Sequence, residues 1–91
     1  FCYVDRQMGP PQWSDLGMFL QSFMLLATEA GYGTCAQEAW ANRAQTVTEF
    51  VEADPSLMLF CGVAIGKTDT TAPVNSLVSE RFTPSEFATF V

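Results

Sequence analysis

The 91 residues contain no histidine, only four lysines and arginines together, and three cysteines, at positions 2, 35 and 61. Without an imidazole, no nucleophile sits beside the usual base, and no Cys/His/carboxylate group has metal-ligand spacing, so side-chain hydrolysis and metal catalysis find no support. Ten acidic against four basic residues give a net charge of −6. That leaves no Lys/Arg cluster to meet a nucleic-acid backbone. An odd set of cysteines does not build a disulfide framework, and reduced thiols in the cytoplasm are the expectation. No apolar run reaches the roughly 18 residues of a membrane span. The opening "FCYVDRQMGPPQW" has neither an initiator Met nor the pattern of a signal peptide. The chain therefore reads as part of one domain of a longer protein.

What it does have is apolar mass: 48% hydrophobic residues, including eight Phe. A chain this short buries only about 60 to 65% of the surface its unfolded form exposes. Either the core is dense, or apolar faces expect a partner. "PPQWSDLG" suggests a helix start, with the prolines ending the preceding segment and Ser14 or Asp15 as cap. The helix is expected to run from 14 to 30, about 25 Å, and to stop at Gly31 in a left-handed conformation. Its polar positions, Ser14, Asp15, Gln21, Ser22, Thr28 and Glu29, form one narrow stripe. Nearly all other positions are apolar, so the helix should be covered on two sides, by its own domain and by a second layer or subunit. Gly17 would allow another backbone to approach.

"GYGTCAQEAW" reads as a loop between packed elements. Asn42 is placed to cap a shorter helix with Gln45 at its third position, and Asp54 and Pro55 end it. The run "LMLFCGVAIG", 57–66, predicts a strand inside a sheet covered by helices. Residues 67–82 read as a long wrapping loop. Thr83 with Glu86 forms a capping box, with Pro84 at the first helical position, and the last helix would carry Phe87 and Phe90. The class is mixed helix and strand. Within it, Arg81 has two readings: a guanidinium that meets a phosphate or carboxylate bidentately, with Asn75 organising the loop, or a surface Arg paired with Glu80 or Glu86. Gln37 and Glu38 read equally as solvated loop groups, and Trp40 as a packing residue. If the protein is an enzyme, a cofactor carries the hard step.

"QWSDLGMFLQSFMLLATEAGYGTCAQEAW" followed by "LFCGVAIGKTDTTAPVNSLVSERF" resembles the C-terminal half of the FMN-dependent nitroreductase family. The marks are Asp15 with Gly17 opening the long helix, the "TCAQEAW" turn, the strand followed by Asp69, and Asn75 six residues before Arg81. The resemblance implies an α+β fold, a nitroreductase-like mixed sheet flanked by helices and incomplete in this fragment. It implies a homodimer with FMN at the subunit interface. Hydride would come from NADH or NADPH to the flavin N5, and would pass in a ping-pong cycle to a small-molecule acceptor such as a nitroaromatic or quinone.

Carried over by position, Ala36, Gln37, Glu38 and Ala39 match the family's loop whose backbone faces the isoalloxazine ring near N5. The N–H groups around Glu38 and Ala39 would be donors to the ring. Arg81 matches a phosphate-binding Arg, and Ser79 the position two before it. No side chain here is implied as a catalytic acid or base. Rival readings are reductive dehalogenation or other flavin chemistry on the same fold, and a non-catalytic dimerisation module built on the long helix.

Overall fold

The computed structural model describes all residues, 1–91. Three strands and three α-helices follow in the order β1 (Cys2–Asp5), α1 (Pro10–Glu29), β2 (Gly33–Gln37), α2 (Ala44–Phe50), β3 (Leu57–Gly66) and α3 (Pro84–Phe87), with short 3-10 helices at Glu38–Arg43 and Pro73–Ser76. The sheet order is β1-β3-β2, and both pairings are antiparallel. The class is α+β, as expected. The 57–66 strand has the predicted bounds and lies at the sheet centre, where its apolar run is explained by neighbours on both edges.

Helix α1 starts four residues earlier than the capping residues suggest. Gly9 is the N-cap and Pro10 and Pro11 are the first helical residues. The prolines open this helix instead of closing the preceding segment, because first-turn N–H groups have no intrahelical partner and a fixed φ costs nothing there. Ser14 and Asp15 therefore sit inside it. The end is as expected: Gly31 has φ +78°, and its N–H and that of Tyr32 donate to Thr28 and Ala27 carbonyls at 2.9 Å. The mid-helix hydroxyls are satisfied locally, with Ser22 Oγ donating to the Met18 carbonyl at 3.0 Å and Thr28 Oγ1 to that of Met24 at 2.9 Å.

Only one stripe of α1, spaced four and three apart, meets the sheet: Gln12, Leu16, Leu20, Met24 and Ala27 are buried or half-buried. The rest of its apolar surface is open, with Met18 and Phe19 each 63% exposed and Leu26 65%. One flank of the helix is thus covered by its own sheet, and nothing within this chain covers the other. Nor does any backbone approach Gly17, which has open space where a Cβ would be. With seven of 91 residues buried, the core is a thin layer of Val4, Leu20, Ala27, Val47, Leu59 and Cys61 between α1, α2 and the sheet. The Cα radius of gyration, 16.3 Å, exceeds the roughly 12 Å of a compact domain this long. No helix is long and apolar enough to cross a membrane.

Two corrections concern the middle of the chain. "GYGTCAQEAW" is not a loop: Gly33–Gln37 pairs with β3 in the register Gln37↔Gly62 to Gly33↔Gly66, and Glu38 begins a 3-10 helix. The strand's Gly and Ala content carries little β preference, so the ladder with β3 makes it a strand. Asn42 does not cap α2. It lies within the 3-10 helix, the N-cap of α2 is Arg43 with no side-chain bond, and the Gln45 amide donates to Glu49 at 3.0 Å. At the far end α3 is a single turn that stops before Phe90. Strand β1 was not anticipated, although its Cys-Tyr-Val run suits a strand.

All three cysteines are free. Cys61, 1% exposed, faces Cys2 across the ladder. Burial first, and the neighbouring Cys2 second, push the Cys61 thiol above its ordinary pKa, which keeps it protonated and unreactive.

Candidate functional site

The predicted site residues fall into two groups on different elements. Ala36 and Gln37 end β2, and Glu38 and Ala39 open the 3-10 helix that packs on β3. The backbone turns sharply here: Gln37, at φ −132° and ψ 88°, is the last strand residue before the helix. The first N–H groups of a helix have no partner inside it, and no side chain caps them here. The stretch thus presents backbone donors on a base held by the sheet.

A feature not read from the sequence pins this turn. The Trp40 indole lies against Gly62, where a Cβ would come 2.5 Å from Cδ1. Its Nε1–H donates to the Gln37 side-chain oxygen at 2.9 Å, and its ring meets Phe1 edge-on at 5.4 Å. The only advance signal was a glycine inside an otherwise apolar strand, which marks close approach by another group.

Ser79 and Arg81 form the second group, on the arm that precedes α3. The Arg81 Nη1 donates to the Ser79 hydroxyl at 2.6 Å and to the Glu80 carbonyl at 2.9 Å. It pairs with neither Glu80 nor Glu86 through a carboxylate. The Glu86 carboxylate is taken by the Thr83 N–H at 2.8 Å and the Thr83 hydroxyl at 2.7 Å, which is the return half of the expected capping box. Only Nη1 of the guanidinium is engaged, so Nε and Nη2 remain free to grip an anion bidentately. Glu80, Arg81, Phe82 and Glu86 line a concavity of about 270 Å³ beside it.

The loop between the groups is organised as read. The Asn75 amide donates to the Asp69 carbonyl at 2.6 Å, and the Asp69 carboxylate accepts from the Thr71 hydroxyl at 2.7 Å and the Thr71 N–H at 2.9 Å. Lys67 is spent on the end of α1, donating to the Gly31 carbonyl at 2.9 Å with its ammonium 3.9 Å from the Tyr32 ring centre. Arg81 is thus the cation best placed to meet a ligand on this side.

Those bonds lower two carboxyl pKa values: the Thr71 hydroxyl and N–H act on Asp69, and the Thr83 N–H and hydroxyl on Glu86. A folded value below the unfolded one stabilises the fold above the ordinary carboxylate pKa of about 4, and that support is lost as pH falls through the lower folded value. Acid should therefore loosen the 69–75 turn and the α3 cap only below that range. In an NMR titration, Thr71→Val should raise the Asp69 midpoint towards the ordinary value and leave Glu86 alone. An unchanged Asp69 midpoint would remove the assigned cause.

Known proteins resemble this chain in sequence and fold. The chain is 34% identical over 88 residues to a 4-nitrobenzoate reductase of Pseudomonas putida, a match spanning 97% of this chain and 39% of that protein. It is 28% identical over the same length to a nitrobenzene nitroreductase of Ectopseudomonas oleovorans, again spanning 39% of the relative. The fold superposes with a TM-score of 0.92 on an FMN- and NADPH-dependent nitroreductase NfnB from Sphigopyxis sp. strain HMH, at 43% identity over 98% of this chain and 40% of that one. It superposes at 0.93 on the FMN-dependent NfnB of Mycobacterium smegmatis solved with NADPH, at 27% identity and the same coverage. The chain thus spans about two-fifths of the length of these proteins. The Nitroreductase family model matches residues 4–67, from β1 through the turn to the end of β3, and with these likenesses it places the chain in the nitroreductase family.

Proposed function

We propose that this chain is the C-terminal portion of a single-domain, FMN-dependent oxidoreductase that takes hydride from NADH or NADPH and reduces nitroaromatic, quinone or similar small acceptors. The observation that supports it most is the likeness, over nearly the whole chain, to two FMN-dependent nitroreductases. The chemistry present here agrees: a backbone turn with free donors at Glu38 and Ala39, and a guanidinium with two free N–H faces beside Ser79.

The residues fit the group they are proposed to hold. When bound, the flavin supplies hydride acceptance and release at a ring nitrogen. The backbone of Ala36, Gln37, Glu38 and Ala39 would orient the ring, and donors fixed by the sheet suit that task because they need no reorganisation. Arg81 would neutralise the phosphate, with the Ser79 hydroxyl holding the guanidinium in place. The open flank of α1 calls for cover from outside these 91 residues, by the remaining length of the protein or, in a homodimer, by the second subunit. The free thiols agree with the cytoplasm.

The test is spectroscopic. The full-length parent protein, purified and mixed with FMN, should acquire a bound-flavin spectrum that NADPH bleaches and a nitroaromatic restores. Protein that neither carries nor takes up FMN would defeat the reading and favour a dimerisation module. A spectrum restored only by a halogenated acceptor would point to reductive dehalogenation.

A further inference from the structure

The turn at 37–40 is held by a side-chain lock that the family likeness does not itself assign. Gln37 stands opposite Gly62 in the β2–β3 ladder, and Trp40, three residues on, folds back onto that same glycine. The indole N–H then closes the loop by donating to the Gln37 side chain at 2.9 Å. Between those two anchors lie Glu38 and Ala39, whose backbone has no side-chain cap to fix it. The lock is the one side-chain hydrogen bond that spans the turn, and a glycine notch receives its ring.

Resting on the flavin reading above, we propose that Trp40 is a positioning residue: through Gln37 and the Gly62 notch it sets the direction of the Glu38 and Ala39 N–H groups towards the ring. A single N–H···O bond of this kind acts on affinity and on the bound flavin's electronic properties, and only weakly on overall stability. The part of Trp40 that contributes packing is its ring on Gly62, and the part that contributes direction is its N–H. Substitutions can separate the two.

In the full-length protein, Trp40→Phe keeps an aromatic ring over Gly62 and removes the donor. FMN affinity should fall about 3- to 10-fold and the reduction potential of the bound flavin should shift, with little change in melting temperature. Gln37→Met, which removes the acceptor at an exposed position, should give the same loss and carries the test if Trp40→Phe perturbs the fold. Gln37→Glu, which keeps an acceptor, should restore near-native affinity, and the Trp40→Phe/Gln37→Met pair should lose no more than either alone. Unchanged affinity and potential in both single variants, or losses that add in full, would overturn the proposal while leaving the flavin reading intact. Wild-type protein that takes up no FMN would overturn both.

Discussion

Replacing Arg81 by alanine in the full-length protein is expected to weaken FMN binding by about 1.5 to 3 kcal/mol, roughly 10- to 150-fold, the range for a charge-assisted bond. The expectation follows from the free edge of the guanidinium: one nitrogen is fixed by Ser79 and the Glu80 carbonyl, and the other N–H groups have no protein partner. The effect should fall on flavin affinity and leave the turnover of flavin-saturated enzyme nearly unchanged, because the charge acts on the phosphate and not on the ring. Equilibrium titration of apoprotein measures the first and saturating steady-state kinetics the second. Unaltered affinity with reduced turnover would show that Arg81 acts on the chemistry instead. Ser79→Ala should give a smaller loss, since it frees the guanidinium without removing it.

Gly62→Ala is expected to destabilise the protein by about 1 to 3 kcal/mol, the cost of forcing one extra carbon into a closed contact. The added methyl would stand 2.5 Å from Trp40 Cδ1 and 3.0 Å from Nε1, far inside van der Waals distance. The strand is paired on both edges, so the indole must move. Gly66→Ala, four residues along the same strand, meets nothing within 4 Å and should be close to neutral. Thermal melts of the two variants compare the sites directly, and equal behaviour would mean that Trp40 does not occupy the notch. Trp40→Ala made together with Gly62→Ala should recover part of the clash term, because the space is then free.

The sequence was most legible where local pattern and tertiary setting agree. The apolar run 57–66 is a strand at a central position, paired on both edges, with Leu59, Cys61 and Gly62 buried and its end at 64–66 exposed. The Thr83–Glu86 contact is short-range chemistry, readable from spacing. Prediction slipped where a local rule had two outcomes. Paired prolines can end one segment or open the next, and here they open α1. β2 was missed because its glycine and alanine carry little strand preference and pair only through partners in β3. Of the site, Arg81 was readable from its setting as one of two alternatives, a guanidinium that meets an anion, whereas Ser79 was named only through the family resemblance. Of the Trp40–Gly62 contact only the in-strand glycine was visible, because Trp40 and Gly62 are distant in sequence and meet only when the sheet closes.

The arm beyond the 3-10 helix at 73–76 has a consequence for how a ligand is kept. Residues 77–91 are exposed apart from half-buried Ala88, and α3 packs extensively on no other element of this chain. The proposed anion grip at Arg81 therefore rides on chain with few supports among these residues, whereas the proposed ring bed at 36–39 adjoins a hydrogen-bonded ladder. On the proposed reading, capture would order this arm as well as the ligand, so part of the binding free energy would be consumed in ordering backbone. Residence time would then follow how long the tail stays docked, which would make its neighbours in the assembled protein as important to retention as the guanidinium itself.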